Sequence, residues 1–98
     1  MNDKVITGVF FILGEKKYVN SKIYPRDESE TVVVTNATYR LTRLSDGMVE
    51  KTGNLTVEGA EMKALIEPEF PGKYLLTETV TVGVEVFRKN ITVTVAKG

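Results

Sequence analysis

The sequence predicts an all-β protein, folded as a single antiparallel β-sandwich domain of seven to eight short strands. Twelve Thr and many Val residues in a chain of 98 favour strands, because β-branched side chains fit a pleated surface. Turn signals recur about every 8–12 residues, a spacing typical of sandwiches. A third observation, a stretch near the C-terminus that can pair with itself, predicts one hairpin in detail.

This hairpin is predicted between Lys73–Val82 and Glu85–Ala96, with a two-residue loop that begins at Gly83. Gly at the first loop position suits a type II′ turn, which needs a positive φ there. The alternate residues, among them Thr77 opposite Asn90, form a polar face that we expect to be exposed to solvent. A slip of one residue would exchange the two faces, so the register is strongly specified. The apolar pairs are Tyr74 with Val93, Leu76 with Ile91, and Val80 with Phe87.

The N-terminal third predicts two strands before the middle of the chain. Val5–Leu13 is predicted as the first strand, and the charged segment Gly14–Lys17 as a turn. Tyr18–Tyr24 is a weaker strand, and Pro25 after it removes a backbone donor, which favours a sheet edge or a loop. Arg26–Glu30 is predicted to be a solvated connection, and Thr31–Thr35 a short buried strand.

The middle of the chain alternates most cleanly. Within Ala37–Thr42, every second residue is predicted to point inward, namely Ala37, Tyr39 and Leu41. Ser45–Gly47 predicts a tight turn with Gly in the left-handed conformation, after which Met48–Lys51 runs back. Gly53 is predicted to mark a bulge or break before the strand Leu55–Val57. The remaining segments are a strand, a turn, a strand and a connection: Leu55–Val57, Glu58–Glu61, Met62–Ile66 and Glu67–Gly72.

Composition excludes most catalytic and metal-binding chemistry. The chain has no Cys and no His, so it lacks the commonest general base and the usual transition-metal ligands. Lys+Arg and Asp+Glu are 13 each, and a net charge of zero favours neither nucleic acid nor an anionic membrane. The acidic run Asp27–Glu30 lacks the ligand spacing of a calcium loop. We therefore assign no catalytic residue, no metal site and no cofactor.

One apolar run near the N-terminus predicts a surface that must be covered by another part of the chain or by a partner. Five consecutive apolar residues break the alternation of the first strand, and a strand that is apolar on both faces must be covered on both. Two alternatives remain open: Tyr18–Tyr24 covers the second face internally, or another subunit does. These candidate interface residues are Val9, Phe10, Phe11, Ile12 and Leu13.

A charged pair interrupts the apolar side of the predicted hairpin. Glu78 stands opposite Lys89 there, and full burial of both would cost several kcal/mol per ion. The favoured interpretation is a cross-strand ion pair where the opposite sheet does not cover the hairpin. The alternative is a bulge near Arg88–Asn90 that turns Lys89 outward.

The segment Pro71-Gly72-Lys73-Tyr74-Leu75-Leu76 resembles the start of the penultimate strand of immunoglobulin-like sandwiches. The resemblance implies that the Tyr74 hydroxyl bonds back to upstream backbone, the arrangement called a tyrosine corner. Leu76 stands where antibody-type domains carry Cys, and the chain has no Trp. The resemblance is therefore to immunoglobulin-like domains outside the antibody type.

Residues 31–95 resemble bacterial and phage-encoded immunoglobulin-like modules. The features shared are the alternating strand at Ala37–Tyr39, the Ser45–Gly47 turn, the Pro71–Tyr74 segment and the closing strand Val93–Val95. Small free-standing chains of this kind look like accessory structural proteins of tailed phages and of prophages in Gram-positive bacteria. The resemblance implies a non-enzymatic structural or protein-interaction role.

The expected partners are proteins, through a heterologous contact or self-association. The run Val9–Leu13 is too short for a signal-peptide core or a membrane span, so we expect a cytoplasmic protein or one assembled into a virion. The alternative function is a surface module that binds carbohydrate or a host protein. Sugars stack on exposed aromatic rings, and with Tyr39 and Tyr74 predicted inward, only Tyr18 and Tyr24 remain for that role.

Overall fold

A computed structural model describes residues 8–23 and 33–98. Within these ranges the chain forms eight strands and no helix. Short turns join most of them, as the spacing of Gly and Asp predicts. The strands are β1 (Gly8–Ile12), β2 (Lys17–Lys22), β3 (Val34–Arg43), β4 (Val49–Asn54), β5 (Thr56–Glu58), β6 (Glu61–Ile66), β7 (Gly72–Val82) and β8 (Glu85–Ala96).

The described strands form two sheets, which confirms the predicted sandwich. One sheet has the order β1-β8-β7-β3-β4, and the other has the order β2-β6-β5. The prediction of a wholly antiparallel fold is wrong at one place, because β1 runs parallel to β8, with Gly8 opposite Thr92 and Ile12 opposite Ala96. Parallel pairing is possible there because no hairpin joins these strands, and the chain passes from β1 directly into the opposite sheet.

The β7–β8 hairpin has the predicted register at every pair from Gly72 opposite Val95 to Val82 opposite Glu85. Gly83 has a φ of 64°, and within the described part of the chain all residues with a positive φ are glycines, so Val84 at the second loop position has a negative φ. A positive φ at the first loop position alone is the type II′ pattern, so the predicted turn is also confirmed.

The core lies between the two sheets and follows the predicted alternation. Ala37, Tyr39 and Leu41 of β3 are all buried, as are Tyr74, Leu76 and Val80 of β7 and Ile91, Val93 and Val95 of β8. Phe87, predicted to point inward opposite Val80, is instead 40% exposed, because the core does not extend to the turn end of β8. β2 lies at the edge of its sheet, where the sequence placed it. The largest fully buried apolar side chains are Tyr74, Phe11, Leu41, Met62, Ile66, Leu76, Ile91 and Val93.

Gly53 itself lies inside β4, and the break predicted before Leu55–Val57 falls directly after it, because β4 ends at Asn54 and β5 of the other sheet begins at Thr56. A separate register shift lies between Leu41 and Thr42 of β3, where Glu50 is the extra residue of β4. Gly53 lies against the ring of Tyr39, and a Cβ added there would come within 3.0 Å of that ring. Glycine is needed here for close approach and not for turning the chain.

Of the segment Thr31–Thr35, predicted to be a separate buried strand, the described residues 33–35 do not follow the prediction. Val33 is exposed, and Val34 begins the long strand β3, with a register shift before Asn36. The extension occurs because Val34 pairs with Val82 at the end of β7, a partner that local sequence does not reveal. The described residues exclude Val5–Thr7, Tyr24, Pro25, Arg26–Glu30, Thr31 and Val32.

Thr77 corrects the expectation of a fully exposed polar face. It is only 8% exposed, and its hydroxyl donates a hydrogen bond to Asn90 Oδ1 at 2.9 Å. β7 is the central strand of five, with β3 on one side and β8 on the other, so neighbouring side chains cover Thr77. Thr92 of β8 remains exposed on the same side of the sheet.

We expect Leu76→Ala and Ile91→Ala each to lower the free energy of unfolding by roughly 2–5 kcal/mol, because they truncate opposed core side chains. Thr92→Ala is the matched control on the outward side, and it should stay within about 0.5 kcal/mol. Urea denaturation measures all three variants. A control that costs more than the two core variants would contradict the observed facing of the hairpin.

Candidate functional site

Strand alternation divides the candidate interface Val9–Leu13 between two faces. Phe11 has no exposed surface, and Val9 is half-buried against the same core. Phe10 is 58% exposed and Ile12 is 44% exposed on the opposite face, and Leu13 after the strand is also exposed. Phe11 is therefore a core residue, and Val9 packs against the same core with only part of its surface exposed. The candidate interface is reduced to Phe10, Ile12 and Leu13.

The alternative in which the Tyr18–Tyr24 segment covers the second face of β1 is wrong for the described part of that segment. β2 lies in the three-stranded sheet, and its residue Val19 belongs to the core that also contains Phe11. β2 therefore covers the inner face of β1. The outer face of β1 stays exposed, since that side belongs to the surface of the five-stranded sheet.

Two charged side chains close the free edge of β1. The amide of Ile12 donates to Glu15 Oε1 at 2.7 Å, and Lys17 Nζ donates to the carbonyl oxygen of Phe10 at 2.8 Å. Glu15 and Lys17 form an ion pair at 3.2 Å. We call this arrangement the Glu15–Lys17 clasp. Bonds to the Ile12 amide and to Lys17 lower the pKa of Glu15, which keeps the carboxylate charged.

The clasp decides how a partner can approach β1. The amide of Glu15 also donates to the carbonyl oxygen of Ile12 at 2.9 Å, whereas the amide of Leu13 turns toward β8 and donates to Ala96. Three backbone groups that an added strand would use, the carbonyl of Phe10 and both the amide and the carbonyl of Ile12, are thus already bonded. Occupied edge groups disfavour pairing with another strand. A partner would have to pack on the side chains of the face.

The outward side of the five-stranded sheet, called here the outer face, carries a shallow open cleft of about 380 Å³. It lies where β4, β3, β7 and β8 run side by side. Hydroxyl, amide and guanidinium groups dominate its lining. The lining residues are Thr38, Tyr39, Arg40, Thr52, Gly53, Asn54, Thr77, Thr79 and Arg88.

A second open cleft, of about 570 Å³, lies at the end of the three-stranded sheet. Its charges are largely compensated: Lys63 pairs with Glu58 at 3.6 Å and lies 5.4 Å from the centre of the Tyr18 ring. Tyr18 is 57% exposed and offers an aromatic surface. The lining residues are Tyr18, Asn20, Ser21, Lys22, Glu58, Glu61, Met62, Lys63 and Lys89.

Tyr74 bonds to the upstream backbone, as the resemblance implied. Its hydroxyl accepts the amide hydrogen of Phe70 at 3.1 Å and lies 3.2 Å from the Phe70 carbonyl oxygen. It also donates to Glu50 Oε1 at 2.7 Å, a contact that sequence reasoning missed. Glu50 Oε2 in turn accepts the amide hydrogen of Glu69 at 3.1 Å. The corner thus fixes the connection before β7 to the strand β4.

The same cluster holds Tyr74 in its neutral form. Burial and the hydrogen bond to the Glu50 carboxylate raise the pKa of Tyr74 to about 12. Arg43 lies beside the cluster, 3.8 Å from Glu50 and 4.7 Å from the centre of the Phe70 ring. The Tyr74 and Glu50 oxygens all have hydrogen-bond partners within the chain, whereas the buried Nε of Arg43 has none in the described structure. The bonds of Tyr74 and Glu50 join two parts of the fold, so the cluster has a structural role.

We expect Tyr74→Phe to lower the free energy of unfolding by about 1–3 kcal/mol, because a bond to a charged carboxylate is lost and the Phe70 amide loses its partner. Tyr18→Phe is the matched control, since its ring lies on the surface, and it should be nearly neutral. Thermal or urea denaturation compares them. Equal stability of the two variants would remove the structural role of the corner.

Glu78 is the most unusual polar residue of the core. It has no exposed surface, and neither carboxylate oxygen has a hydrogen-bond partner among the described residues. The register is continuous through Glu78 and Lys89, so the predicted bulge is absent. The favoured interpretation is also wrong, because Glu78 is fully covered. Lys89 is exposed and lines the second cleft, and no ion pair within the described part joins the two.

Burial raises the pKa of Glu78 above its usual range. The Ser21 hydroxyl and the charge of Lys89 oppose this shift, because both favour the ionised carboxylate. Ser21 is itself buried, and its hydroxyl does not meet the geometry of a hydrogen bond. Desolvation is the largest cause, so the core favours a protonated Glu78.

We expect this carboxyl to make stability fall as pH rises. Above the unfolded pKa of about 4.3, the unfolded chain loses a proton that the folded chain still holds at Glu78, and the free energy of unfolding decreases until the folded pKa is passed. Glu78→Gln removes the proton, so its stability relative to wild type should increase from about pH 4 to about pH 8. Urea denaturation at both pH values measures this difference. Glu67→Gln, at an exposed position, is the control and should show no such increase.

No group of three or more acidic residues in the described ranges could hold a metal ion. The acidic run Asp27–Glu30 lies outside those ranges. Residues 8–23 and 33–98 contain no helix that is long and apolar enough to cross a membrane.

No protein-family model and no curated protein matches this chain. Solved structures do match its fold. An engineered protein aligns with a TM-score of 0.72 and 18% identity over 92% of this chain, which spans 18% of that protein. CopC from Methylosinus trichosporium aligns with a TM-score of 0.66 and 14% identity over 93% of this chain and 85% of CopC.

A third similar structure is the ZIG-8–RIG-5 heterodimer of IG1 domains. It aligns with a TM-score of 0.52 and 14% identity, over 99% of this chain and 88% of the matched one. At these identities the matches establish the fold alone. The chain is an immunoglobulin-like β-sandwich.

The sequence predicts only some residues of these sites. The alternation of the hairpin places Arg88 on its outward side, opposite Thr79. The position of Arg40 beside Thr77 depends on the pairing of β3 with β7, for which the sequence carries no local signal. Glu15 and Lys17 were assigned only to a charged turn.

Proposed function

We propose that this chain is a non-enzymatic protein-interaction module whose partner packs against the outer face. One observation carries the proposal: β1 exposes Phe10 and Ile12 on that face, while the Glu15–Lys17 clasp occupies its free edge. Covering exposed apolar side chains with a partner stabilises the complex by roughly 25 cal/mol per Å² of apolar surface buried. A closed edge leaves the face as the surface available for contact.

The absence of His and Cys from the chain supports a role without catalysis, because the usual activated nucleophiles need one or the other. The fold supports a role in recognition, since one similar structure is a heterodimer of two IG1 domains. The partner proposed here is a different protein. Two copies packed face to face would bring arginines of the outer face together, and like charges oppose such an arrangement.

We further propose that the module is an accessory structural protein of a phage or prophage particle. This assignment is supported by the resemblance of residues 31–95 to phage-encoded immunoglobulin-like modules. Induction of the host's prophages and gradient purification of the particles provide the test. The chain should sediment with intact particles, and its absence from every particle fraction would contradict this assignment.

The second cleft favours one alternative, a surface module that binds carbohydrate or a host protein. Tyr18 is exposed at its margin, and Asn20 and Lys22 lie beside it. An aromatic ring bordered by amide and ammonium groups is a surface on which sugars stack. The two functions place the binding residues on opposite sheets, so one pair of variants separates them.

Phe10→Asp and Tyr18→Asp form a matched pair, because the two rings are 58% and 57% exposed on different sheets. Both variants should stay folded by circular dichroism, whereas Phe11→Asp should unfold the chain by placing a charge in the core. Affinity capture from the source cells, followed by sedimentation of the purified partner with each variant, measures binding. We expect Phe10→Asp to abolish the complex and Tyr18→Asp to retain it.

The reverse result, a complex lost with Tyr18→Asp and kept with Phe10→Asp, would favour the alternative function. A partner retained by both variants, or no partner at all, would overturn the interaction proposal. A wild-type chain that dimerises in sedimentation without a partner, and becomes monomeric with Phe10→Asp, would replace the heterologous partner by a second copy.

A further inference from the structure

We infer that the partner presents acidic side chains to a pair of arginines, Arg40 and Arg88, in the cleft of the outer face. This inference rests on the proposed function and specifies the chemistry of the partner. Both arginines line the cleft, together with the hydroxyls of Thr38, Thr52 and Thr79. The sequence alone gives no reason to connect the two residues, which are far apart along the chain.

The strand register places the two arginines on either side of β7, at outward-facing positions two residues apart along that strand. Arg40 of β3 stands opposite Thr77 of β7, and Arg88 of β8 stands opposite Thr79 of the same strand. They are thus separated by β7 alone and offset by two residues, which corresponds to roughly 12 Å between their Cα atoms. Side chains as long as arginine can converge from that separation on one acidic group or on two neighbouring ones.

The outer face carries charge of one sign. Its outward charged residues in β1, β3, β4, β7 and β8 are Arg40, Lys73 and Arg88, with no Asp or Glu among the described positions. Some other cations of the described structure do pair with acidic side chains: Lys17 pairs with Glu15, Arg43 with Asp46 and Glu50, and Lys63 with Glu58. Neither Arg40 nor Arg88 has an ion pair within residues 8–23 and 33–98.

Guanidinium groups of this kind favour carboxylates. Arg presents a planar fork of N–H donors that binds a carboxylate through two parallel hydrogen bonds. The threonine hydroxyls around the cleft can donate further bonds to the same oxygens. A positive face also steers an acidic partner toward it during diffusion. The same sheet carries Phe10 and Ile12 on β1, so the complementary surface combines acidic side chains with an apolar contact.

Titration of the full chain with a short oligoglutamate peptide, followed by NMR, tests the inference. We expect saturable shifts that centre on Arg40, Thr79 and Arg88 and that weaken as salt is added. Arg40→Gln and Arg88→Gln should each lower the affinity by roughly two- to fivefold, and the double variant should bring binding to the level of a neutral peptide. Arg40→Lys should bind more tightly than Arg40→Gln but more weakly than wild type, because lysine keeps the positive charge without the planar fork of donors.

Lys51→Gln is the matched control, because it removes an exposed positive charge from neighbouring β4 but lies outside the cleft. It should leave the affinity unchanged. Shifts scattered over all basic residues, or an equal loss with Lys51→Gln, would overturn the inference. Tighter binding of a heparin fragment or an oligonucleotide at the same residues would also overturn it, by assigning the cleft to another class of anion.

The proposed function and this inference fail in different experiments. A complex that depends on Phe10 but is unaffected by the double arginine variant would leave the interaction module standing and remove the acidic partner. Oligoglutamate binding at the cleft, without any complex that depends on Phe10, would keep the anion site and remove the proposed apolar contact.

Discussion

The structure depends on the strict alternation of side chains along β7 and its two neighbours. β7 pairs with β8 on one side and with β3 on the other, so its register decides which residues of three strands reach the core. Leu76 faces inward with Leu41 and Ile91, while Thr79 faces outward beside Arg88. A slip of one residue would bury the polar set and expose the apolar one. Both the core and the proposed interaction surface follow from this one register.

The two ends of the hairpin show how differently polar groups are treated in this core. At one end, Tyr74 and Glu50 bond to each other and to backbone amides, so the oxygens of these two side chains are satisfied. Toward the other end, Glu78 is buried without a hydrogen-bond partner in the described structure, and its pKa rises accordingly. A satisfied network stabilises the fold, whereas an isolated carboxyl in the core lowers its stability when it ionises.

The surfaces of the two sheets differ in a way that bears on function. The outer face of the five-stranded sheet combines exposed apolar residues of β1 with positive charges that have no acidic neighbours on that face. The second cleft, at the end of the three-stranded sheet, balances Lys63 against Glu58. The clasp adds a further constraint, because it occupies the edge of β1 and leaves the face open. These features together favour contact through side chains over the addition of a strand.

The sequence by itself determined the all-β class, the hairpin with its turn, and the inward residues of β3, because each depends on contacts or periodicity within a short stretch of chain. It could not determine that β1 runs parallel to β8, that Glu78 is fully covered, or that Gly53 makes room for Tyr39. It also could not determine that Arg40 and Arg88 line one cleft, on either side of β7. These outcomes depend on which distant strands pair and on how the sheets pack, and only the tertiary structure decides that.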